Sequence, residues 1–162
     1  MDKKQIDNIL FGIGCNSFNR FEMFLSIAPK LKGELYWYAL KESYISSDNL
    51  FHFKGLVKAS FSSKQPNREK LMNYDEIRYL TSLPEQVNIY RGMTEQELKT
   101  KNYGISWTLK KEVAEFFANS YPRNFSTNEM KKVVYEMTIK KNDIVAFFND
   151  RDEFEIIYLN NA

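Results

Sequence analysis

Residues 102–121 read NYGISWTLKKEVAEFFANSY, and the change of period inside them decides the fold class. Ser106 and Thr108 stand two apart, so in an extended segment both hydroxyls face one way and Ile105, Trp107 and Leu109 the other. From Leu109 to about Tyr121 the apolar residues Val113, Phe116, Phe117 and Tyr121 recur at helical spacing instead. A strand therefore runs directly into a helix. That helix opens on Lys110 and Lys111, against the preference of a helix dipole for acids in its first turn. Two readings follow: an anion is bound where the hydroxyls meet the lysines, or the lysines are simply solvated.

Outward from this stretch the chain has two textures. After Pro84 the segments VNIYRG, YGISWTL, KKVVYEMTIK, DIVAFF and EFEIIYL are short, rich in β-branched and aromatic residues, and divided by polar turns. Before it, Ile6, Ile9, Leu10 and Ile13, and then Phe18, Phe21, Leu25 and Ala28 ahead of Pro29, follow helical spacing, with Ser17 as N-cap of the second helix. LKGELYWYALKESYI and DNLFHFKGLVKASF continue as helices, QPN at 65–67 is a turn, and DEIRYL is a short helix. The expectation is an α+β fold in a single domain, 1–162: a helical part, 1–83, layered on a twisted, mainly antiparallel β-rich core, 84–162.

Composition narrows the chemistry. With 43% hydrophobic and 27% charged residues, the 162-residue chain is an ordinary globular domain, unusual only in its 13 Phe and 10 Tyr. No apolar run spans a membrane, and MDKKQIDNIL lacks a signal-peptide pattern, so no membrane partner is expected. The single cysteine, Cys15, has no internal disulfide partner, which suits a reducing cytoplasm. One histidine, His52, leaves no His-rich zinc site and, without a nucleophile elbow around it, no Ser-His-Asp triad; it reads as a packing or surface residue. A net charge of +2 does not by itself argue for nucleic acid, although KGLVKASFSSKQPNREK at 54–70 is locally basic.

Three polar positions lie at the ends of predicted strands. Arg91 follows VNIY and precedes Gly92, which would permit a sharp turn; Ser106 and Thr108 share a face; Glu153 and Glu155 share a face, with Phe154, Ile156 and Tyr158 turned to the core. Each has an ordinary explanation: a surface ion pair, strand filler, solvated acids. Their order is more specific. YRG, then SWT leading into an aromatic helix, then EFE running into IIYL, resembles the R-S-E class of ADP-ribosyltransferases, over Val87 to Leu159. That family has an aromatic-Arg strand, an S-T-S-type strand and an E-x-E strand in this order. Trp107 departs from it, standing where the motif often has a small or hydroxyl residue.

The resemblance implies a split-sheet core that binds NAD, the co-substrate, in a cleft between two small sheets. It implies that Glu155 meets the positive charge developing on the ribose and accepts from its 2′-hydroxyl, that Arg91 beside Tyr90 holds the NAD phosphates, and that Ser106 orients Glu155 while Thr108 supports the strand end. Glu153 would present or deprotonate the acceptor. Faces for the nicotinamide would come from Trp107 or from Tyr121, Arg123 and Phe125 of YPRNFS, whereas Phe116 and Phe117 read as core. The implied activity is transfer of ADP-ribose from NAD to a protein or nucleic-acid acceptor by an intracellular toxin, phage or defence-type effector, with a cognate antitoxin or inhibitor as a further partner. Two other readings stay open: a non-catalytic nucleotide- or partner-binding module, and a small histidine-independent nuclease using Arg91, Glu153 and Glu155.

Overall fold

The computed structural model describes residues 1–119 and 132–160, which gather into two compact units, Met1–Asn73 and Tyr74–Ala162. In the first unit, helix α1 (Lys3–Phe11) opens on a reciprocal cap: Asp2 Oδ1 accepts from Gln5 N and Gln5 Oε1 from Asp2 N, both at 2.9 Å. It buries Ile6 and Leu10. Helix α2 (Arg20–Ile27) buries Phe21, Phe24 and Ile27 but begins after Asn19, not at the expected Ser17. The cause is local. Asn16 Oδ1 accepts from Phe18 N at 2.9 Å and Asn19 Oδ1 from Asn16 N at 2.8 Å, so side chains hold residues 16–19 in turns and leave Phe18 exposed.

Helix α3 (Glu34–Ile45) is the centre of this unit, burying Tyr36, Trp37, Ala39, Leu40 and Tyr44. Tyr36 meets Phe24 and Trp37 edge-on at 5.7 and 5.0 Å, and Tyr44 meets Phe61 of helix α4 (Lys54–Phe61) at 5.1 Å. The polar tips are satisfied, with Tyr36 Oη donating to Ser60 O and Trp37 Nε1 to Pro66 O. His52, in the 3-10 turn before α4, is exposed and edge-on to Phe51.

The second unit starts ten residues ahead of the change in texture at Pro84 because helix α5 (Tyr74–Ser82) belongs to it. Tyr79 stacks on Phe147 at 4.7 Å, and the buried Glu76 accepts from Asn149 N at 3.0 Å. All five expected strands form: β1 (Gln86–Thr94), β2 (Ser106–Thr108), β3 (Lys132–Lys140), β4 (Ala146–Phe148) and β5 (Glu155–Ile157). They pair antiparallel in the order β3-β1-β2-β5-β4. The β1–β3 ladder runs unbroken from Gln86↔Lys140 to Thr94↔Lys132. By contrast, β1 meets β2 at one pair, Tyr90↔Thr108. The sheet is thus continuous but pinched between a two-stranded and a three-stranded part.

Helix α6 (Glu95–Thr100), not anticipated, follows β1 at once, and helix α7 (Lys111–Asn119) follows β2 as the change of period predicts. Gly92 sits inside β1 rather than at a turn. A Cβ there would fall 2.6 Å from Ala114 O, so the glycine lets α7 lie on the strand. Strands β4 and β5 are buried throughout, so the expected alternation gives way there: Ile157 is as buried as Ile156, while Phe154 and Tyr158 are only half-buried. Among the described residues no helix is long and apolar enough to cross a membrane.

Candidate functional site

Strand β2 brings the three predicted polar positions together, because it lies between β1 and β5, although Arg91 sits inside β1 rather than at its end. The register places Thr108 opposite Glu155 and Ser106 opposite Ile157. Ser106 Oγ donates to Glu155 Oε2 at 2.5 Å. Glu155 is only 5% exposed, and a buried carboxylate is tolerated only where donors replace its water. Its other oxygen accepts from Arg151 Nη2 at 3.3 Å. Thr108 Oγ1 donates to Glu153 O at 2.8 Å and accepts from Lys110 N at 3.1 Å, tying the entry of β5 to the start of α7.

The two glutamates do not share a face by strand alternation. Strand β5 begins only at Glu155, and Asp152 and Phe154 take left-handed conformations at φ 56° and 49°. Asn149 Oδ1 holds the turn by accepting from Phe154 N at 3.1 Å. The carboxylates meet instead on one guanidinium: Arg151 Nη2 lies 3.6 Å from Glu153 Oε2 and 3.3 Å from Glu155 Oε1. Burial raises the Glu153 pKa and the charge of Glu155 adds to the effect, with Arg151 opposing both.

Arg91 is the third member of the group, by a route the sequence does not reveal. Its Nη1 donates to Ser106 O at 2.8 Å, while Nε and Nη2 fork onto Glu97 at 2.7 and 3.4 Å. Glu97 Oε1 also accepts from Gly104 N at 2.8 Å. The planar fork expected on phosphate is therefore on a carboxylate of the same chain. Tyr90 projects to the other side of β1 by alternation, where its hydroxyl reaches Glu136 Oε1 at 3.4 Å, so it does not join Arg91.

Trp107 does not offer a free face. It is 1% exposed, donates from Nε1 to Gly104 O at 3.1 Å, and packs on Tyr103 at 5.6 Å and Tyr135 at 6.2 Å. It is a core residue because β2 is an inner strand. Of the helix aromatics expected in the core, Phe116 is 54% exposed. Lys110 is occupied over the Phe154 ring at 3.8 Å, and Lys111 is exposed. Tyr121, Arg123 and Phe125 lie outside the described residues. Among the described residues, no group of three or more His, Cys, Asp or Glu side chains is placed to hold a metal ion.

Sequence reasoning missed Glu97 and Arg151. A signal for Glu97 was present: Thr94-Glu-Gln-Glu97 is an N-cap pattern, and Thr94 Oγ1 does accept from Glu97 N at 3.1 Å. For Arg151 there was only its spacing four residues before Glu155, which carries no information in a turn. Compared with known proteins, the chain matches no family model, no curated protein and no solved structure.

Proposed function

We propose that the second unit is an NAD-dependent mono-ADP-ribosyltransferase core that transfers ADP-ribose to a macromolecular acceptor. One observation carries the reading: the Arg, Ser and Glu expected to act together are linked in a row, Arg91 Nη1 to Ser106 O and Ser106 Oγ to Glu155 Oε2. Residues 15 and 49 positions apart in the chain meet there. The polar groups suit the substrate. A carboxylate fixed by a hydroxyl, with a second, more exposed carboxylate beside it, matches a sugar carrying developing positive charge and an acceptor that must lose a proton.

Bound NAD would supply the nicotinamide–ribose bond, whose cleavage releases nicotinamide with the bonding pair and leaves that charge on the ribose until the acceptor bonds to it. Glu155 opposes the charge from a fixed position, which is worth most where water is excluded. Ser106 holds the carboxylate in one orientation. Glu153, whose raised pKa favours accepting a proton, takes one from the acceptor. Arg91 retains N–H groups not used by Glu97 and Ser106 for the NAD phosphates.

The competing reading, a non-catalytic nucleotide- or partner-binding module, draws on a different feature. Arg91 and Arg151 already partner the chain's own acids, Glu97, Glu153 and Glu155. Incubation with labelled NAD and a cell lysate separates the two. Label that becomes bound to macromolecule, and is released by protease or by nuclease, supports transfer and names the acceptor class. Absence of label with both wild type and Glu155→Gln leaves the binding module.

A further inference from the structure

Ser106 has to present its hydroxyl to Glu155 from a strand that is poorly anchored on one side. Its β5 side is paired throughout, from Ser106↔Ile157 to Thr108↔Glu155. On the β1 side the ladder consists of Tyr90↔Thr108 alone. The Ser106 carbonyl accepts there from a side chain, Arg91 Nη1, at 2.8 Å. A guanidinium on a flexible stem can fix a peptide only if it is itself fixed.

Glu97 fixes it. The carboxylate takes Nε at 2.7 Å and Nη2 at 3.4 Å, and the same Oε1 takes Gly104 N at 2.8 Å. The Arg91 and Glu97 side chains are 23% and 15% exposed, so water competes weakly for either. Glu97 is in turn held by its place in α6, whose N-cap Thr94 accepts from Glu97 N. Gly104 closes the arrangement: a Cβ there would lie 2.4 Å from Arg91 Nη2, so the backbone is pressed against the guanidinium.

We propose that Glu97 is a positioning residue for the Ser106–Glu155 pair, acting through Arg91: its carboxylate holds the guanidinium that holds the Ser106 peptide and so aims the Ser106 hydroxyl. The catalytic consequence rests on the transferase reading; the positioning itself does not. Glu97 acts on Glu155 through two intermediaries, Arg91 and Ser106. Its loss leaves the guanidinium unpaired and free to leave the Ser106 carbonyl. A carboxylate misplaced by a fraction of an ångström loses rate far more than it loses substrate affinity.

The test has two readouts. The first is the side-chain carboxyl carbon resonance of Glu155, assigned by its disappearance in Glu155→Gln. Glu97→Gln is expected to displace it in the same direction as Ser106→Ala, with no further displacement in the double variant. The second is cleavage of NAD. Glu97→Gln is expected to lower kcat by about tenfold or more, and Glu97→Gln with Ser106→Ala to lose no more kcat than Ser106→Ala alone. A Glu155 resonance unmoved by Glu97→Gln, or losses that multiply in the double variant, overturns the proposal. If the resonance moves as expected but wild type does not cleave NAD, the positioning stands and the transferase reading falls. Cleavage by wild type with an unmoved resonance does the reverse. Should Glu97→Gln not fold, Glu97→Asp and Arg91→Lys, which keep the charges but break the fork, are read against the same criteria.

Discussion

Arg20 in the first unit and Arg91 in the second are both half-buried and both donate to backbone carbonyls, yet they terminate differently. Arg20 gives Nε to Leu10 O at 2.7 Å and Nη1 to Ser46 O at 2.5 Å, at the C-terminal ends of α1 and α3. Those are carbonyls without helical partners, and a cation there satisfies both the hydrogen bonds and the dipoles. Its ring contact, over Phe11 at 4.6 Å, is likewise structural. Arg91 ends on Glu97 and on the residue whose hydroxyl holds Glu155. The same side chain serves the fold alone in one region and couples the fold to an ionisable group in the other. What surrounds an arginine, not its presence, decides which role it takes.

The comparison breaks most visibly at Glu155. Glu155→Gln keeps size and hydrogen bonding but not charge, and transfer should fall by about two orders of magnitude or more with the circular dichroism of the folded chain retained. Near wild-type turnover would make the surroundings of Arg91 as purely structural as those of Arg20. Arg20→Met supplies the opposite control. It keeps the apolar stem and removes both donors, so unfolding should become easier by about 2 kcal/mol or more while turnover per folded molecule is unchanged. Denaturant titration beside an NAD cleavage assay checks both halves, and a loss of turnover in the folded variant would blur the distinction.

Glu153 sharpens the comparison within the site. Glu153→Gln should lose labelling of the acceptor while keeping a measurable share of NAD cleavage by water, because the proposed reading gives Glu155 the sugar and Glu153 the acceptor proton. Parallel loss of both activities would place Glu153 at the sugar. Its raised pKa also predicts a pH effect. A group whose folded pKa is raised stabilises the fold below its unfolded value, about 4.3 for glutamate, and that stabilisation is lost as pH rises through the folded value. The melting temperature of Glu153→Gln relative to wild type should therefore be more favourable at pH 7 than at pH 4. Labelling by wild type should rise over the same window. The smallest effect is expected far from the site, at Asp2→Ala, which removes one helix cap and about 1 kcal/mol of stability without altering either activity.

Much of this fold was legible from local pattern. β-branched and aromatic runs marked all five strands, and the switch of period at Leu109 marked α7. The errors fall where a residue's environment depends on something distant in sequence or on side-chain bonding. Ser17 is a reasonable cap by type, but Asn16 and Asn19 had already committed the turn. Trp107 looks like a ring available to a ligand until β2 proves to be an inner strand. Gly92 suggests a turn, whereas its requirement is room for α7. Of the site, the sequence pointed to Arg91, Ser106 and Glu155 by their order; for what holds Arg91 it offered only the N-cap pattern from Thr94 to Glu97, which marks a helix start and not a partner.

By itself the sequence determined most of the helices and all five strands, though not α6, and it placed Ser106, Thr108 and Glu155 at strand ends. Period and branching report how each residue is buried, and burial is largely a local property of an amphipathic element. Only the tertiary structure decided who partners whom. Ser106 reaches Glu155 across 49 positions because β2 and β5 are neighbours; Arg91 faces Glu97 because α6 turns back immediately after β1; Glu153 and Glu155 meet because two left-handed residues fold Arg151 back between them. A hydrogen bond or ion pair is a relation between two places in space, and the chain's return to those places is set by packing that no single segment encodes.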